Sequence, residues 1–346
     1  MLEVDGSQKS GSGTILRLSV ALAAILKERL HIYDIRRKRP QPGLKPQHLE
    51  AVLTAAKLCN ATTKGAELGS EELWFYPGEI LGGKIGAEIG TAGSIPMLLI
   101  TVLPICAFAR SPAHIHISKG GTDVTHSPTI NYLCHVFLPL IRRIGLKTSM
   151  QIHRYGYYPK GMGEVSITVW PNPNLASFCL EDFGLVESLK GVSVCTFLAD
   201  RRVAERQAKA ATDFLETWGH KASIQVVNDL SNPLQKGSSL TLWAKTSTQA
   251  LLGGDAIGEL RKPSESVGKE AAENLLSELQ AKATVDVHLA DMLVPYMALS
   301  KGESVFLTRL LTDHLETNIW LAQEILGVEF KITRVGNLHR VEKKPS

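Results

Sequence analysis

Residues 2–27 read LEVDGSQKSGSGTILRLSVALAAILK and contain the unit from which the rest of the fold is built. Leu2–Val4 predicts a short strand, Gly6–Gly13 a turn rich in glycine and serine, and Thr14–Lys27 a helix, because apolar residues recur in it at close to helical spacing. Flexible backbone at a helix N-terminus offers N–H groups to an anion. The turn lacks the Gly-Lys-Ser/Thr of a Walker A loop, so it indicates either an anion site of another kind or a plain strand–helix turn.

The same succession of elements returns along the chain. Strand, helix, strand, helix and two strands follow one another in cycles of about 80 residues, with little residue identity between cycles. The first cycle continues with the strand His31–Ile35, the helix Pro46–Cys59 and the strands Glu72–Tyr76 and Lys84–Ile89. The second has the helix Ser94–Ala109, the strand His114–Ser118, the helix Pro128–Arg143 and the strands Thr148–His153 and Glu164–Trp170. This order predicts duplicated α/β units.

Residues 184–279 have an α/β rhythm of their own. They predict the strand Val192–Leu198, the helix Val203–Trp218, the strands Ser223–Val227 and Ser239–Ala244, and most of the helix Glu265–Lys282. The last segment returns to the first rhythm with the helix Val285–Leu299, the strand Val305–Arg309, the helix Thr317–Leu326 and the strands Glu329–Thr333 and Leu338–Val341. We therefore predict a mixed α/β (α+β) fold. A large domain, residues 1–183 and 280–346, has three repeated βα units with four-stranded sheets, and a small inserted α/β domain occupies residues 184–279.

Length and composition bound the class of protein. The chain has 346 residues, of which 44% are apolar and 21% charged, so wholesale disorder is excluded and more than one domain is expected. A net charge of +4 does not by itself indicate nucleic-acid binding. The five cysteines lie far apart, which favours free thiols in a reducing compartment. No signal peptide is visible and the most apolar run, Ile95–Ala109, is too short to span a bilayer, so we expect a cytoplasmic protein without a membrane partner.

Three loops combine features that suit phosphate or nucleic acid. The run Arg36-Arg37-Lys38-Arg39 precedes two prolines, and four consecutive cations favour either a phosphate partner or a solvated loop. Gly156–Glu164 holds aromatics, a cation and three glycines, which suits base stacking or an irregular hairpin. Gly120–Asp123, followed by His126, Ser127 and Pro128, is a turn at a helix N-terminus and is taken as structural when considered alone.

Two helical segments carry candidate reactive groups. In His288–Met292, Asp291 lies three residues after His288 and shares its helix face, where a carboxylate suits a metal ion or a ribose. In Asp313–Asn318, His314 precedes the last long helix; a neutral imidazole there can act as a nucleophile while the helix N-terminus helps to hold a phosphoryl group. Eleven histidines are present, so a structural role for any one of them is the competing interpretation.

From Leu2 to about Val341 the chain resembles the RNA 3′-terminal phosphate cyclase family. The resemblance rests on the order and spacing of many short motifs: Asp5-Gly6-Ser7, Ile15-Leu16-Arg17, Ile35-Arg36, Arg39, Pro42-Gly43-Leu44, Gln47-His48-Leu49, Gly65–Ser70, Gly90–Ser94, Gly120–Asp123, Gly156–Pro159, Leu289-Ala290-Asp291, and His314 with Thr317-Asn318-Ile319.

The resemblance implies an ATP-dependent reaction on RNA. Family members attack the α-phosphate of ATP with a histidine, pass the AMP to an RNA 3′-phosphate and close a 2′,3′-cyclic phosphate. The resemblance makes His314 the nucleophile and Asp291 the carboxylate linked to Mg²⁺ or Mn²⁺. The nucleotide-binding positions that it implies are His288, Leu289, Ala290, Asp291, Met292, Arg36, Arg39, Gln47, Pro128 and Ile100. ATP and an RNA with a 3′-terminal phosphate are the expected partners, and the oligomeric state stays open.

The chain also departs from the family pattern. A family glutamate linked to metal and catalysis is Ser10 here, a glutamine of the same loop is Thr14, and a glutamine that contacts the nucleotide is Ile100. In the signature loop, Tyr155 stands where the family has Arg or His, and Met162 replaces a glycine. An ATP-dependent cyclase therefore competes with a second interpretation, a non-catalytic RNA-binding relative like the cyclase-like proteins of ribosome assembly. An enolpyruvyl transferase on a related repeat fold is a third.

Overall fold

The computed structural model describes residues 1–345 and contains four four-stranded sheets. Three of the sheets share one strand order, and each combines one parallel with two antiparallel pairings. These three repeats and the helices between their strands confirm the predicted mixed α/β class. The fourth sheet has a different order and interrupts the third repeat.

The first repeat spans residues 2–76. Its elements in chain order are β1 (Leu2–Asp5), α1 (Gly13–Leu26), β2 (Leu30–Tyr33), α2 (Pro46–Cys59), β3 (Thr62–Lys64) and β4 (Leu73–Tyr76). Ser12 caps α1, since its hydroxyl accepts a hydrogen bond from the Thr14 N–H. β1 pairs in parallel with β2, while β4 pairs antiparallel with both β2 and β3. The sequence missed β3, which has only three residues and no alternating pattern.

The second repeat corrects two predicted boundaries. Its elements are β5 (Gly83–Glu88), α3 (Ile95–Cys106), β6 (Ala113–Gly120), α4 (Ile130–Tyr132), a π-helical turn (Leu133–Phe137), α5 (Leu138–Arg143), β7 (Thr148–Arg154) and β8 (Gly163–Val169). The strand predicted at Lys84–Ile89 opens this repeat instead of closing the first, because β5 pairs in parallel with β6. The helix predicted from Pro128 begins at Ile130, because Thr129 caps it by accepting from the Tyr132 N–H.

The third repeat is interrupted after its first strand, β9 (Cys179–Leu180). The segment that follows forms the fourth sheet and its two long helices: β10 (Val186–Thr196), a 3₁₀ turn (Ala199–Arg201), α6 (Val203–Thr217), β11 (Ser223–Asp229), β12 (Gly237–Thr246), β13 (Leu251–Ile257) and α7 (Ser264–Ala281). β10 begins six residues before the predicted Val192, and β13 was not predicted, because Gly253 and Gly254 interrupt its apolar pattern. The boundary of a separate domain at 184–279 stays a prediction.

The third repeat then resumes with α8 (Val287–Leu299), β14 (Ser304–Thr308), α9 (Asp313–Leu326), β15 (Phe330–Val335) and β16 (Leu338–Lys343). The sequence predicted α9 from Thr317, but it begins at Asp313. The reason is Thr312, whose hydroxyl accepts from the Leu315 N–H and caps the helix one turn earlier. His314 therefore lies inside the first helical turn.

The helices of the three repeats pack against one another on the inner faces of the sheets. The strand orders are β1-β2-β4-β3, β5-β6-β8-β7 and, reading the third sheet from its other edge, β9-β14-β16-β15. One continuous cluster of buried apolar residues runs through all three repeats, and α1 contacts α3 and α9 while α8 contacts α3 and α9. The four helices thus form a ring in which α3 and α9 each pack against both α1 and α8.

Candidate active site

A cavity of about 430 Å³ lies where α1, α3, α8 and α9 meet. This volume is in the range of small-molecule and cofactor sites. Each of the three first helices contributes one face to its lining. The lining residues are Thr14, Arg17, Leu18 and Ala21 of α1; Met97, Ile100, Thr101 and Pro104 of α3; His288, Asp291, Met292 and Pro295 of α8; His314 and Asn318 of α9; and His126, Ser127, Pro128 and Asp255.

Prolines in two of the helices face this cavity. Pro104 in α3 and Pro295 in α8 have no N–H, so the carbonyl groups of Ile100 and Asp291, four residues earlier, lose their helical hydrogen bond. The Asp291 carbonyl accepts a replacement from the Asn318 side-chain amide of α9 at 2.8 Å. That bond fixes α9, and with it His314, against α8.

His314 is held by hydroxyl groups of the opposite helix. Its Nδ1 lies 3.1 Å from Oγ1 of Thr14 and 3.4 Å from Oγ of Ser12. Burial lowers the pKa of His314, and the nearby Arg17 and Arg39 guanidinium groups lower it further. The imidazole is therefore neutral near pH 7, and because Nδ1 is engaged, Nε2 is the nitrogen available to a ligand.

Arg17 brings to the cavity a positive charge that no carboxylate of residues 1–345 neutralises in an ion pair. Its side chain is partly buried, and among the described residues its hydrogen-bond partner is the Thr14 hydroxyl, at 3.1 Å from NH2. Burial and the neighbouring Arg36 lower the pKa of Arg17 to about 10, so it stays charged near pH 7. The adjacent buried His48 is neutral, because burial and the cations around it lower its pKa to about 2. A buried cation lacking an acidic partner favours an anionic ligand.

Two carboxylates line the cavity opposite this charge. Asp291 accepts from the Thr312 hydroxyl at 2.6 Å, and burial raises the pKa of Asp291 to about 7. Asp255, from β13, accepts from the Thr129 N–H at 2.7 Å, and burial raises its pKa as well. Within residues 1–345 no three Asp, Glu, His or Cys side chains are placed to hold a metal ion together. One or two carboxylates fit a Mg²⁺ ion whose other ligands are substrate phosphates and water.

The cavity gathers part of the predicted nucleotide site. His314, His288, Asp291, Met292, Pro128 and Ile100 all line it. Leu289 and Ala290 point into the apolar core instead, because the other face of α8 packs there. Whether their backbone contributes to binding stays a prediction.

Three other predicted residues lie outside the lining. Arg36 donates to the Gln41 and Gly43 carbonyl groups at 2.9 and 2.8 Å, so it stabilises its own loop. Gln47 accepts from the Ser94 N–H at 2.8 Å and fixes the start of α3. Arg39 is exposed, but it is close enough to His314 to lower its pKa.

Several lining residues were missed as site residues. Arg17 follows Thr14 by three positions and so shares its helix face, a signal that was present in the sequence. Asn318 was recognised only as part of a motif. Asp255 carried no local signal, since it reaches the cavity from the fourth sheet. Ser10 is linked to the site through its hydroxyl, 3.0 Å from that of Ser12.

The fold and this cavity define a mixed α/β protein of three repeats whose first helices line a site with a neutral histidine, a partly buried arginine and a carboxylate. The sequence profile of the RNA 3′-terminal phosphate cyclase family matches residues 8–332. The chain belongs to this family.

Relatives cover nearly the full length. Proteins named RNA 3′-terminal phosphate cyclase are 43% identical in Pyrococcus furiosus (96% of this chain, 95% of the relative), 42% in Pyrobaculum aerophilum (99% and 97%) and 41% in Methanosarcina mazei (99% and 99%). Among solved structures, the enolpyruvyl transferase NikO from Streptomyces tendae matches with a TM-score of 0.27 and 12% identity, over 49% of this chain and 33% of its own. That likeness is too low to carry an argument. Within residues 1–345 no helix is long and apolar enough to cross a membrane.

Proposed function

We propose that this protein converts an RNA 3′-terminal phosphate into a 2′,3′-cyclic phosphate at the expense of ATP, through a covalent His314–AMP intermediate. The observation that carries the proposal is the neutral imidazole of His314 on the cavity surface, close to the uncompensated charge of Arg17. A nucleophilic nitrogen and an anion-binding cation in one cavity are what attack on a phosphate requires. The family relatives named as cyclases support the substrate class.

The first step uses the ring nitrogen that faces away from Thr14. Nε2 of His314 attacks the α-phosphorus of ATP, the N–P bond forms, the bond to the β-phosphate oxygen breaks, and pyrophosphate leaves. Positive charge develops on the imidazole, and Nδ1–H donates to the Thr14 oxygen. Arg17 stabilises the negative charge of the phosphates. A Mg²⁺ or Mn²⁺ ion held by Asp291 would add Lewis-acid neutralisation of the same charge.

The second half of the reaction returns AMP to solution. An oxygen of the RNA 3′-phosphate attacks the α-phosphorus, the N–P bond to His314 breaks, and an activated RNA–adenylate results. The neighbouring 2′-hydroxyl then loses its proton, attacks the 3′-phosphorus and displaces AMP. Activation is needed because a phosphate monoester has no good leaving group. Arg39, exposed and close to His314, is suited to the incoming RNA phosphates.

Incubation with ATP labelled in the α-phosphate tests the covalent step directly. Wild-type protein with Mg²⁺ or Mn²⁺ is expected to take up acid-labile label, and His314→Asn and His314→Ala to take up none. His114→Asn is a matched control, because His114 is exposed on the outer face of the second sheet, bonded to Thr168. Absence of label on wild type, or labelling of His314→Asn, would contradict the mechanism.

The competing function, a non-catalytic RNA-binding relative, is favoured by one position. Ser10 supplies a hydroxyl where the family has a glutamate, and that hydroxyl bonds to Ser12. In this case wild type would bind RNA but remain unlabelled by ATP. Ser10→Glu is a second test: an increased labelling rate shows that the lost carboxylate limits activity, whereas a decrease shows that this site has adopted another arrangement.

We also propose that the protein acts in the cytoplasm. The five cysteines are all free thiols, and three of them are buried in the core. Free thiols are typical of a reducing compartment.

A further inference from the structure

The loop that follows β7 exposes an aromatic ring that the proposed chemistry does not use. Tyr158 is 77% exposed, more than any other aromatic side chain in residues 1–345. The next most exposed is Trp218, at 54%. An exposed aromatic ring offers a face on which a nucleic-acid base can stack.

The backbone on either side of Tyr158 is firmly held by the interior. The preceding residue, Tyr157, is buried against Gly237, where a Cβ would lie only 2.1 Å from the Tyr157 ring. The Tyr157 hydroxyl lies 3.2 Å from the Thr196 hydroxyl, and the Tyr157 carbonyl accepts from the Gly161 N–H at 2.7 Å.

A second loop, residues 230–237 between β11 and β12, secures the other side. Gln235 donates to the Tyr158 carbonyl at 2.9 Å and accepts from the Lys160 N–H at 3.2 Å. Asn232 donates to the Tyr155 and Gly161 carbonyl groups at 2.7 and 3.1 Å. The Tyr158 ring is thus presented on a preformed backbone, and a ligand would not have to order it.

The two loops are cationic. Residues 155–163 and 230–237 contain no Asp or Glu, and they contribute the exposed Lys160 and Lys236. Two acidic residues flank the loops in the sequence, and both have partners. Asp229 accepts from the Thr196 hydroxyl at 2.7 Å and the Ser231 N–H at 3.1 Å, and Glu164 forms an ion pair with Arg154. An aromatic face flanked by lysines complements the bases and phosphates of a single strand.

Residues 91–94 lie between the loop that carries Tyr158 and the cavity. Gly161 packs on residues 91–92, since a Cβ there would lie 2.7 Å from the Thr91 carbonyl oxygen. The same segment continues to Ser94, whose hydroxyl lies 2.5 Å from that of Ser127, a residue of the cavity lining. A polynucleotide whose 3′ end reaches His314 can therefore pass over this surface.

We propose that Tyr158, with Lys160 and Lys236, forms a stacking site for a nucleotide upstream of the 3′ end of single-stranded RNA. The identity of the ligand rests on the proposed function; the site itself rests on exposure, rigidity, charge and position. Stacking on an aromatic ring accepts every base, so the site would add affinity without requiring a particular RNA sequence.

Fluorescence anisotropy with a labelled single-stranded RNA of about ten nucleotides ending in a 3′-phosphate tests the proposal, and it needs no ATP. Tyr158→Ala is expected to weaken binding by about 5- to 100-fold, as is usual for loss of one stacked base, and Tyr158→Phe to bind like wild type. Replacing Lys160 and Lys236 with Gln should lower the slope of log affinity against log salt by about 1.4. Because the Tyr158 ring is exposed, neither substitution endangers folding.

The outcomes separate the site from the chemistry. Equal affinity of wild type and Tyr158→Ala, or no RNA binding by wild type, would overturn the stacking site whatever the result with ATP. The exposed Leu230 and Leu234 beside the loop would then favour a protein partner. If Tyr158→Ala binds RNA more weakly than wild type, but wild type takes up no label from ATP, the RNA site is retained and the covalent mechanism is refuted.

Discussion

Replacing Thr14 with Val isolates the contact that orients His314. The two side chains have the same shape, so the cavity surface is kept, but the oxygen 3.1 Å from His314 Nδ1 and 3.1 Å from Arg17 NH2 is lost. Ser12, at 3.4 Å from Nδ1, is left as the hydroxyl partner of the imidazole. The variant therefore has a freer imidazole and a partly buried guanidinium with no protein hydrogen bond.

The expected change in rate follows from how much stronger the bond between Thr14 and His314 becomes in the transition state. A hydrogen bond between neutral groups contributes about 1 kcal/mol, and one to a charged group about 1.5–3 kcal/mol. During attack the imidazole becomes cationic, so the Nδ1–H bond to Thr14 changes from the first kind to the second. Thr14→Val loses the neutral bond from the ground state as well, so the barrier rises only by the difference, roughly 0.5–2 kcal/mol, and His314 labelling slows by about 2- to 30-fold.

The assay is the first-order rate of His314 labelling at saturating ATP. Thr14→Ser is the matched control: it keeps the hydroxyl, and its rate is expected to stay within about threefold of wild type, under 1 kcal/mol. Thr14→Val labelling at the wild-type rate would refute the orienting role. A raised KM with an unchanged rate would instead mean that Thr14 acts on nucleotide binding through Arg17.

Three further substitutions test the surroundings of the site. Burial raises the pKa of Asp123 to about 7. Between about pH 4 and pH 7 the folded protein therefore keeps a proton that the unfolded chain has released. The free energy of unfolding falls as the pH rises through this range. Asp123→Asn should flatten that fall in denaturant titrations at pH 5 and 8; an unchanged slope would assign it to other groups. Tyr132→Phe removes a hydroxyl 2.7 and 2.8 Å from the two Asp286 oxygens, and should lower the free energy of unfolding by about 1.5–3 kcal/mol; a change below 0.5 kcal/mol would contradict the buried bond. Asp291→Asn keeps an acceptor for Thr312 but loses the charge, so stimulation of His314 labelling by Mg²⁺ should drop more than tenfold; unaltered metal dependence would exclude Asp291 as the ligand.

The elements of the fold were largely readable from local patterns. α2 was predicted with its exact observed bounds, Pro46–Cys59. The proline marks the start of the helix, and the apolar face identifies it as a helix. The errors fall where local signals are weak or misleading. β9 has two residues and β3 three, so neither can show a period. The early start of α9 depends on one capping hydroxyl, that of Thr312.

The segment inserted in the third repeat shows a different limit of prediction from sequence. Residues 184–279 carry few of the motifs on which the family resemblance rests, so the sequence alone links this segment to no step of the chemistry. In the structure β13 supplies Asp255 to the cavity, and the Gly253 N–H donates to Asp286, the cap of α8, at 2.8 Å. Removing this segment would therefore open the cavity and free the start of α8.

The sequence by itself determined most of the succession of strands and helices, the threefold repetition and the family, because periodicity, caps and motif order are properties of neighbouring residues. Only the tertiary structure decided which of those residues meet. Thr14 and His314, 300 positions apart, come within 3.1 Å because α1 of the first repeat packs against α9 of the third. The same packing turned Leu289 and Ala290 into the core and Arg17 toward the cavity. Such contacts depend on how whole helix faces fit together, which no local pattern specifies.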